Sequence, residues 1–518
     1  MILSAFYWLE KLLSKTNAIK QEFVEIYGNH PAVIEERLNS SIELVKQFIK
    51  TYDGEKNILL TRAPARVNLM GRHIDHQGGF INTVAINKEI LIAASSRNDS
   101  FIRVHNIHNK QFPSFEINPN EIFDVTSYSD WKSFVKSKEV LNFNNYKNGD
   151  WSFYILAVFY RLQLYLSDKK LKGLDCFVSG NIPVGSGLSS SSAIGVAFAK
   201  ALLELNNIDI SDKLLIELTG ESELFLGFHG GKGDQAAIIS AKKGIVTKIG
   251  FYPFHIANNT QFPDELELII AYSGTSAKKG GPEKEIFNQR VACYKLAFRK
   301  LQKIWAPALE AQHIRDLTPE RLKLTTNKII QGLYKLPNHP SRTEITEFFD
   351  DEEKPYIKDI FQSHNDPGGY NLIGTILFGI SECVRSESFH QILEQKDFDK
   401  MSKLISVSHN GDRLQNKDQI TDITKNEEPL THISGYYGCS TENIDQMVDI
   451  ANNVPGTIGA QLAGAGMGGN IVVLVKAEAV ENVVTALNDK YYVPNNIPYD
   501  AHICIPISGA SILGKQFS

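Results

Sequence analysis

A polar segment near the N-terminus carries the densest set of residues that could do chemistry. It spans Arg62–Asn87 and reads RAPARVNLMGRHIDHQGGFINTVAIN. A sugar needs several oriented hydrogen-bond donors and acceptors, and this density of polar side chains around one glycine-bounded turn suits it. We interpret the polar segment as a sugar-binding turn; a metal site on its histidines and an ordinary structural turn are the alternatives. Its polar side chains are Arg66, Asn68, Arg72, His73, Asp75 and His76.

A serine-rich loop, Ile182–Ala197, has the sequence IPVGSGLSSSSAIGVA. Its glycines allow a ligand to approach the backbone closely, and the helix predicted to follow offers unpaired N–H groups at its positive end. The serine hydroxyls add donors and can ligate magnesium. This combination predicts a phosphate-binding loop, with a serine-capped helix after a glycine turn as the structural alternative. The chain contains no GxxxxGK[ST] sequence, so a Walker-type P-loop is excluded.

A C-terminal glycine loop, Ala463–Val475, reads AGAGMGGNIVVLV. Gly464, Gly466 and Gly469 fit the pattern GxGxxG, whose dinucleotide-binding meaning requires a helix after the glycines. A strand, Asn470–Val475, is predicted there instead, so dinucleotide binding is excluded. The remaining interpretations are a tight turn that enters a strand, or a loop packed closely against a ligand or against the serine-rich loop.

The elements predicted around these loops alternate between strands and helices in both halves of the chain. This order predicts an α+β fold of two domains with a cleft between them. We place a helical N-terminal extension at residues 1–55 and the two domains at 56–260 and 261–518. A polar, proline-containing stretch at about 305–370 is predicted to be an inserted helical and loop segment.

Composition narrows the possible classes of function. The 518 residues are 42% hydrophobic and 22% charged, with a net charge of −5, which gives no basic face for nucleic acid. The five cysteines are scattered without a CxxC pair, which favours free thiols in a reducing compartment. No apolar run approaches the ~20 residues of a membrane span, and the N-terminus resembles an amphipathic helix rather than a signal peptide. We therefore expect a cytoplasmic protein with no nucleic-acid or membrane partner.

Taken together and in this order, the motifs resemble those of the GHMP kinases, in particular the galactokinases and galacturonokinases. The polar segment resembles the galactokinase signature. The serine-rich loop resembles the family's phosphate-binding loop, and the C-terminal glycine loop resembles the family's third motif. A fourth segment, Gly227–Ala237 (GFHGGKGDQAA), resembles the stretch that supplies the catalytic aspartate. The resemblance covers most of residues 57–290 and 372–510.

The resemblance implies a two-domain α+β GHMP kinase fold with the active site in the interdomain cleft. It implies ATP and Mg²⁺ as cofactors and a sugar as the small-molecule partner, phosphorylated at its anomeric C1 hydroxyl. Asp234 would be the catalytic base, with Arg66 beside it. The substrate-binding residues implied are Arg72, His73, Asp75, His76 and Gly231. The ATP-binding residues implied are Gly185, Ser186, Gly187, Leu188, Ser189, Ser190 and Ser191, and the third-motif residues are Gly464, Gly466 and Gly468.

Two positions depart from the family's pattern. At the position of its magnesium-binding glutamate the chain has Ser222, flanked by Glu221 and Glu223. A shift of one residue rotates a helical side chain by about 100°; we select Glu221, with Ser190, as the metal ligands, and an exposed helix carboxylate is the alternative.

The second departure is Arg72, where galactokinases usually have an acidic residue. An arginine binds a carboxylate through charge-assisted hydrogen bonds, and galacturonate carries a carboxylate that galactose lacks. Arg72 therefore favours galacturonate over galactose as the acceptor. The alternative is that Arg72 pairs with an internal acid, which would leave a galactokinase acting on galactose. A catalytically weak, kinase-like sugar sensor is the competing class. The oligomeric state stays open.

Overall fold

The computed structural model describes residues 2–146, 150–277, 282–414 and 428–514. Its strands are β1 Leu3–Ser4, β2 Asn57–Met70, β3 Ile81–Ser96, β4 Ile102–Asn106, β5 Phe115–Ile117, β6 Leu174–Gly180, β7 Ile245–Gly250, β8 His255–Gln261, β9 Leu266–Tyr272, β10 Thr457–Leu462, β11 Asn470–Lys476, β12 Ala501–Cys504, β13 Pro506–Ile507 and β14 Ser511–Ile512. Its α-helices are α1 Ala5–Ser14, α2 Asn17–Tyr27, α3 Pro31–Thr51, α4 Pro119–Ile122, α5 Trp131–Val135, α6 Lys138–Tyr146, α7 Ser152–Tyr165, α8 Ser190–Leu205, α9 Asp212–Ser222, α10 Gly233–Ser240, α11 Pro282–Ile304, α12 Pro319–Leu322, α13 Thr326–Leu333, α14 Arg342–Glu347, α15 Lys354–Phe361, α16 Leu372–Glu394, α17 Phe398–Asn410, α18 Glu442–Asn452 and α19 Val480–Leu487.

A ten-stranded sheet organises the N-terminal half. Its main path runs β1-β2-β3-β6-β4-β5; β14 pairs with β2, β7 and β13 pair with β3, and β8 pairs with β7. The long strands β2 and β3 pair antiparallel on either side of the turn that carries Arg72 and Asp75. Both central strands are buried on both faces, because α7 and α8 pack on one face and α1–α3 on the other. The sheet is therefore a rigid base for the residues at its end.

Side-chain alternation divides the two faces of this sheet, as expected for a period of two residues. On β3, Ile92 and Ala94 belong to the core shared with α7 and α8. Leu91 and Ala93 belong to the core shared with the N-terminal helices. The first 51 residues thus form a layer of the N-terminal half, with α1 and α2 capped by the side chains of Ser4 and Thr16.

A four-stranded antiparallel sheet, ordered β10-β11-β9-β12, forms the base of the C-terminal half. Its core also takes in large side chains from residues 305–370, among them Trp305, Leu317 and Tyr370. One residue of that stretch reaches across to the N-terminal half: the Arg315 guanidinium donates to the carbonyl of Gly78, at 2.9 Å, and to two neighbouring carbonyls of residues 251 and 252. This stretch is a packed part of the C-terminal half that also braces the polar segment.

The result is a two-domain α+β architecture with a cleft between the halves. Of the helices in the described residues, none is long and apolar enough to cross a membrane. The domain boundaries near 55 and 260 stay a prediction.

Candidate active site

A cavity of about 820 Å³ opens between the two halves of the protein. It brings together the three motifs singled out in the sequence, although they lie hundreds of residues apart. The polar segment forms one wall, the serine-rich loop another, and the C-terminal glycine loop with the start of α11 the third. The cleft expected from the alternating element order therefore holds every candidate loop.

The serine-rich loop joins β6 to α8, which begins at Ser190. Ser189 is the N-cap residue and has a φ of 62°, so the chain turns sharply just before the helix and presents its first-turn N–H groups toward the cavity. This is the strand–loop–helix context that a phosphate-binding loop requires. All seven predicted ATP-binding residues but Leu188, which is buried, line the cavity.

The C-terminal glycine loop packs directly against the serine-rich loop. A Cβ atom on Gly187 would lie 2.4 Å from the carbonyl oxygen of Ala463, and one on Gly464 would lie 2.4 Å from the carbonyl oxygen of Gly187. The side-chain amide of Asn470 also donates to the carbonyl of Ser186 at 2.9 Å. The sequence left open whether this loop is only a tight turn or packs closely against a ligand or the serine-rich loop. In the structure it packs against the serine-rich loop. Gly464 and Gly466 line the cavity, whereas Gly468 lies behind them, against Thr275.

The carboxylate of Asp234 lies at the centre of the cavity, at the N-terminal end of α10. Its Oδ1 accepts a hydrogen bond of 2.8 Å from Nε of Arg66, and its Oδ2 accepts one from the hydroxyl of Ser189. A second guanidinium nitrogen of Arg66 donates to the carbonyl of Gly187 at 2.7 Å. The side chain of Asp234 is 28% exposed, so it is fixed by partners on one side and open to a ligand on the other.

The carboxylate of Asp75 approaches the Asp234 segment from the polar segment. It accepts a 2.9 Å hydrogen bond from the backbone N–H of Gly233 and contacts Nδ1 of His76 at 3.2 Å. A Cβ atom on Gly231 would lie 1.9 Å from Asp75 Oδ2, so only glycine fits there. Burial alone would raise the pKa of Asp75, but His76 and the N–H of Gly233 outweigh it and lower the pKa. Asp75 is therefore an ionised hydrogen-bond acceptor beside the segment that carries Asp234.

His73 lines the same cavity with its ring held in place. The ring stacks on Tyr437, with 4.1 Å between ring centroids and 12° between planes. The metal site considered for His73, Asp75 and His76 does not form, because Nε2 of His73 lies instead near Asp412 and Cys439 of the C-terminal half.

The position of Arg72 contradicts the prediction that it reads a carboxylate of the sugar. Its guanidinium is 2% exposed and donates to Asp412 Oδ2 at 2.8 Å, to the hydroxyl of Ser408 at 3.0 Å, and to the side-chain oxygen of Gln461. Its donors are directed at this internal carboxylate and its polar neighbours from the C-terminal half. The structure therefore matches the alternative, in which Arg72 pairs with an internal acid.

The choice of Glu221 as a metal ligand is also wrong. Its carboxylate pairs with Arg161 at 2.8 Å and Lys232 at 3.1 Å and does not line the cavity. Helix α9 ends at Ser222 and a 3-10 turn begins at Glu223, which rotates Glu223 toward the cavity. One oxygen of Glu223 accepts hydrogen bonds from Ser192 at 2.7 Å and Gln235 at 2.9 Å.

Sequence reasoning missed two further groups of cavity residues. One is an aromatic wall formed by Phe112, Trp151 and Tyr154, and the other is the pair Lys284 and Phe287 on successive turns of α11. No motif marks them, because they come from separate segments without characteristic spacing. The single cue in the sequence is the cluster of tryptophan, phenylalanine and tyrosine that begins at Trp151, at the start of α7.

Three family models match the chain. The model described as the GHMP kinases N terminal domain matches residues 154–242, and that of the GHMP kinases C terminal matches residues 389–493. The galactokinase galactose-binding signature matches residues 46–96, which include the polar segment. The three matches contain the serine-rich loop, Asp234, Asp412 and the C-terminal glycine loop.

Whole proteins give the same result. The chain is 26% identical over 470 residues to a galactokinase of Dictyostelium discoideum, covering 87% of each chain. It is 26% identical over 467 residues to a galactokinase of Chloroflexus aurantiacus, covering 89% of this chain and 95% of the relative. The crystal structure of Lactococcus lactis galactokinase complexed with galactose superposes with a TM-score of 0.67 at 18% identity, over 90% of this chain and 98% of that one, and so has the same fold.

Proposed function

Because the chain belongs to the GHMP kinase superfamily and carries the galactokinase galactose-binding signature, we propose that it transfers the γ-phosphoryl group of ATP to the anomeric C1 hydroxyl of galactose. The observation that carries the proposal is the position of Asp234. Its carboxylate is paired with Arg66, is 28% exposed, and lies between the serine-rich loop and Asp75.

The proposed reaction uses these groups in a fixed order. A carboxylate oxygen of Asp234 takes the proton of the C1 hydroxyl, and the C1 oxygen attacks the γ-phosphorus as its bond to the β,γ-bridging oxygen breaks. The charged guanidinium of Arg66 stabilises the ionised carboxylate before transfer and the developing negative charge nearby. The products are the sugar 1-phosphate, ADP and the proton on Asp234.

The sugar and the phosphates have separate sets of partners. Asp75, His76 and His73 offer oriented acceptors and donors to the sugar hydroxyls, and Gly231 leaves room for the ring beside Asp75. The N–H groups of residues 185–191 offer donors to the phosphate oxygens at the positive end of α8.

Magnesium fits the oxygen donors of this cavity. Ser190 and Glu223 both line it, and hard oxygen ligands of this kind are those that Mg²⁺ prefers. When bound, Mg²⁺ would offset the charge of the ATP phosphates. Ser190 and Glu223, rather than Glu221, are the residues that would hold it.

Two neighbouring glutamates test this assignment. In Glu223→Gln we expect the Mg²⁺ concentration for half-maximal activity to rise about 10-fold or more, because a ligating carboxylate is lost. The matched control is Glu221→Gln, which removes a carboxylate two residues away that pairs with Arg161 and Lys232 outside the cavity. The measurement is a Mg²⁺ titration of turnover. An equal response of the two variants would remove Glu223 from the metal site.

The inward position of Arg72 shifts our preference from galacturonate to galactose. One observation favours the acidic sugar as a second candidate. Lys284 lines the cavity, its Nζ donates to the carbonyl of Leu226 at 2.9 Å, and burial lowers its pKa. The charge of the neighbouring Glu285 acts in the opposite direction but is outweighed by burial.

A comparison of kcat/KM for the two sugars tests which of them is the acceptor. We expect Lys284→Met to leave kcat/KM for galactose within about 3-fold, since no neutral hydroxyl requires a cation. If galacturonate is the acceptor, the same variant should lose about 10-fold or more with it, because a charge-assisted hydrogen bond is removed. The measurement is kcat/KM for both sugars with wild type and variant. A preference of the wild type for galacturonate that Lys284→Met abolishes would overturn the galactose assignment.

The proposal as a whole is tested by the product. Purified protein with ATP, Mg²⁺ and galactose should form ADP and galactose 1-phosphate. The product is recognised by the loss of the reducing end of the sugar and, in NMR spectra, by coupling of the phosphorus to the anomeric proton. A phosphate on any other hydroxyl would contradict the C1 assignment. Binding of ATP and sugar without turnover would favour the sugar-sensor class.

A further inference from the structure

A buried cluster of three metal-ligating side chains lies behind the sugar end of the cavity. Nε2 of His73, Oδ1 of Asp412 and Sγ of Cys439 are separated by 3.5 Å (His–Asp), 3.2 Å (Cys–Asp) and 3.4 Å (Cys–His). All three residues are buried, and each offers one ligand atom to the same point. His73 comes from the N-terminal half, whereas Asp412 and Cys439 come from the C-terminal half.

These separations match the edges of a metal coordination shell. A tetrahedral zinc ion bonds nitrogen and carboxylate oxygen at about 2.0–2.2 Å and thiolate sulfur at about 2.3 Å, which places its ligand atoms about 3.3–3.6 Å apart. The His–Asp and Cys–His distances agree with the corresponding edges to within about 0.2 Å, and the Cys–Asp distance is about 0.4 Å shorter than a sulfur–oxygen edge. An ion can therefore enter the cluster with little movement of the side chains.

The neighbours of the cluster hold each ligand in its orientation. Oδ2 of Asp412 accepts from Arg72 at 2.8 Å, which leaves Oδ1 facing the cluster. Stacking on Tyr437 fixes the ring of His73, and the carbonyl of Cys439 accepts a 2.6 Å hydrogen bond from the N–H of Met467. Supporting contacts of this kind orient the ligands of protein metal sites.

From this geometry we propose that His73, Asp412 and Cys439 form a binding site for a thiophilic divalent cation of the zinc class. A nitrogen, a carboxylate oxygen and a sulfur are a ligand set for Zn²⁺ or Co²⁺ rather than for Mg²⁺. Binding releases the thiol proton of Cys439 to solvent, and neutral His73 donates the lone pair of Nε2 with its proton on Nδ1. The fourth ligand would be a water molecule.

The ion would join the two halves of the protein. Because its ligands come from both halves, it binds the folded state and not the unfolded chain, and it should raise the midpoint of thermal unfolding. It would occupy Nε2 of His73, which leaves the N–H of Nδ1 as the group of this ring that can meet a sugar hydroxyl. This proposal does not depend on the proposed function, and its test needs no turnover.

The experiment uses Co²⁺ as a spectroscopic probe on the full-length, metal-free protein. One equivalent of Co²⁺ should produce a thiolate-to-metal charge-transfer band, and Zn²⁺ should abolish that band and raise the unfolding midpoint. Cys439→Ala should lose the band entirely. The matched control is Cys504→Ala, which removes another buried thiol, at the end of β12 in the core shared with α7 and α8, and should keep the band.

Asp412→Asn provides a second variant that retains the thiol. It should keep a charge-transfer band but weaken Co²⁺ binding about 10-fold or more, because an amide oxygen is a poorer ligand than a carboxylate. Absence of the band in the wild type, or a band that persists in Cys439→Ala, would overturn the proposal.

Discussion

The Asp234→Asn variant is expected to lose turnover by about 10²–10⁴-fold while it continues to bind ATP. An amide has the shape of the carboxylate and can still accept the hydrogen bond from Nε of Arg66, but it cannot take the proton of the C1 hydroxyl. The backbone N–H groups of the serine-rich loop are unchanged, so the dissociation constant for ATP should stay within about 3-fold. The measurements are steady-state kinetics and calorimetric titration with ATP.

A control substitution tests whether the loss of turnover in Asp234→Asn comes from this position or from the loss of any one negative charge. Asp212 lies at the first turn of α9, and its carboxylate is 71% exposed. Asp212→Asn should therefore leave both turnover and ATP binding unchanged. Turnover of Asp234→Asn near the wild-type level would show that another group removes the proton and would end the role of Asp234 as the base.

The fold and the central pair of the site could be predicted from the sequence. The glycine and serine patterns of the serine-rich loop specify a strand–loop–helix unit, and the strand after the C-terminal glycine loop excluded dinucleotide binding. The segment around Asp234 resembled a known catalytic stretch, and Arg66 lay in a motif of the same family. The fold and the resemblance to the GHMP kinases are confirmed, and the galactokinase relatives support the sugar-kinase class; the roles of Asp234 and Arg66 stay a prediction, although the structure pairs them.

The two errors at the site arose where local sequence does not determine direction. The choice between Glu221 and Glu223 assumed a continuous helix, but α9 ends at Ser222 and the 3-10 turn that follows changes the angle between successive side chains. The direction of Arg72 depends on Asp412, which is 340 residues away in the chain. A charged residue in a motif does not reveal its partner when that partner belongs to the other half of the protein.

Removal of the Arg72 guanidinium alone should destabilise the protein strongly. In Arg72→Met the carboxylate of Asp412, which is 0% exposed, loses its cation, and an uncompensated buried charge costs about 3–5 kcal/mol. Burial would raise the pKa of Asp412, but Arg72 and His73 hold it well below its usual value. The pair therefore stabilises the protein at neutral pH, and this contribution is lost as the pH falls through the depressed folded-state pKa.

The double variant Arg72→Met, Asp412→Leu should recover most of that loss, because it replaces both charges with apolar side chains and leaves no unpaired ion. The measurement is the free energy of unfolding in urea for wild type, both single variants and the double variant, from which the coupling energy follows. If Arg72 instead read a carboxylate of the sugar, Arg72→Met would unfold like the wild type and would lose only its activity with galacturonate. A coupling energy near zero would therefore indicate that Arg72 binds the substrate and not Asp412. A large coupling energy would mean that this arginine joins the polar segment to the C-terminal half.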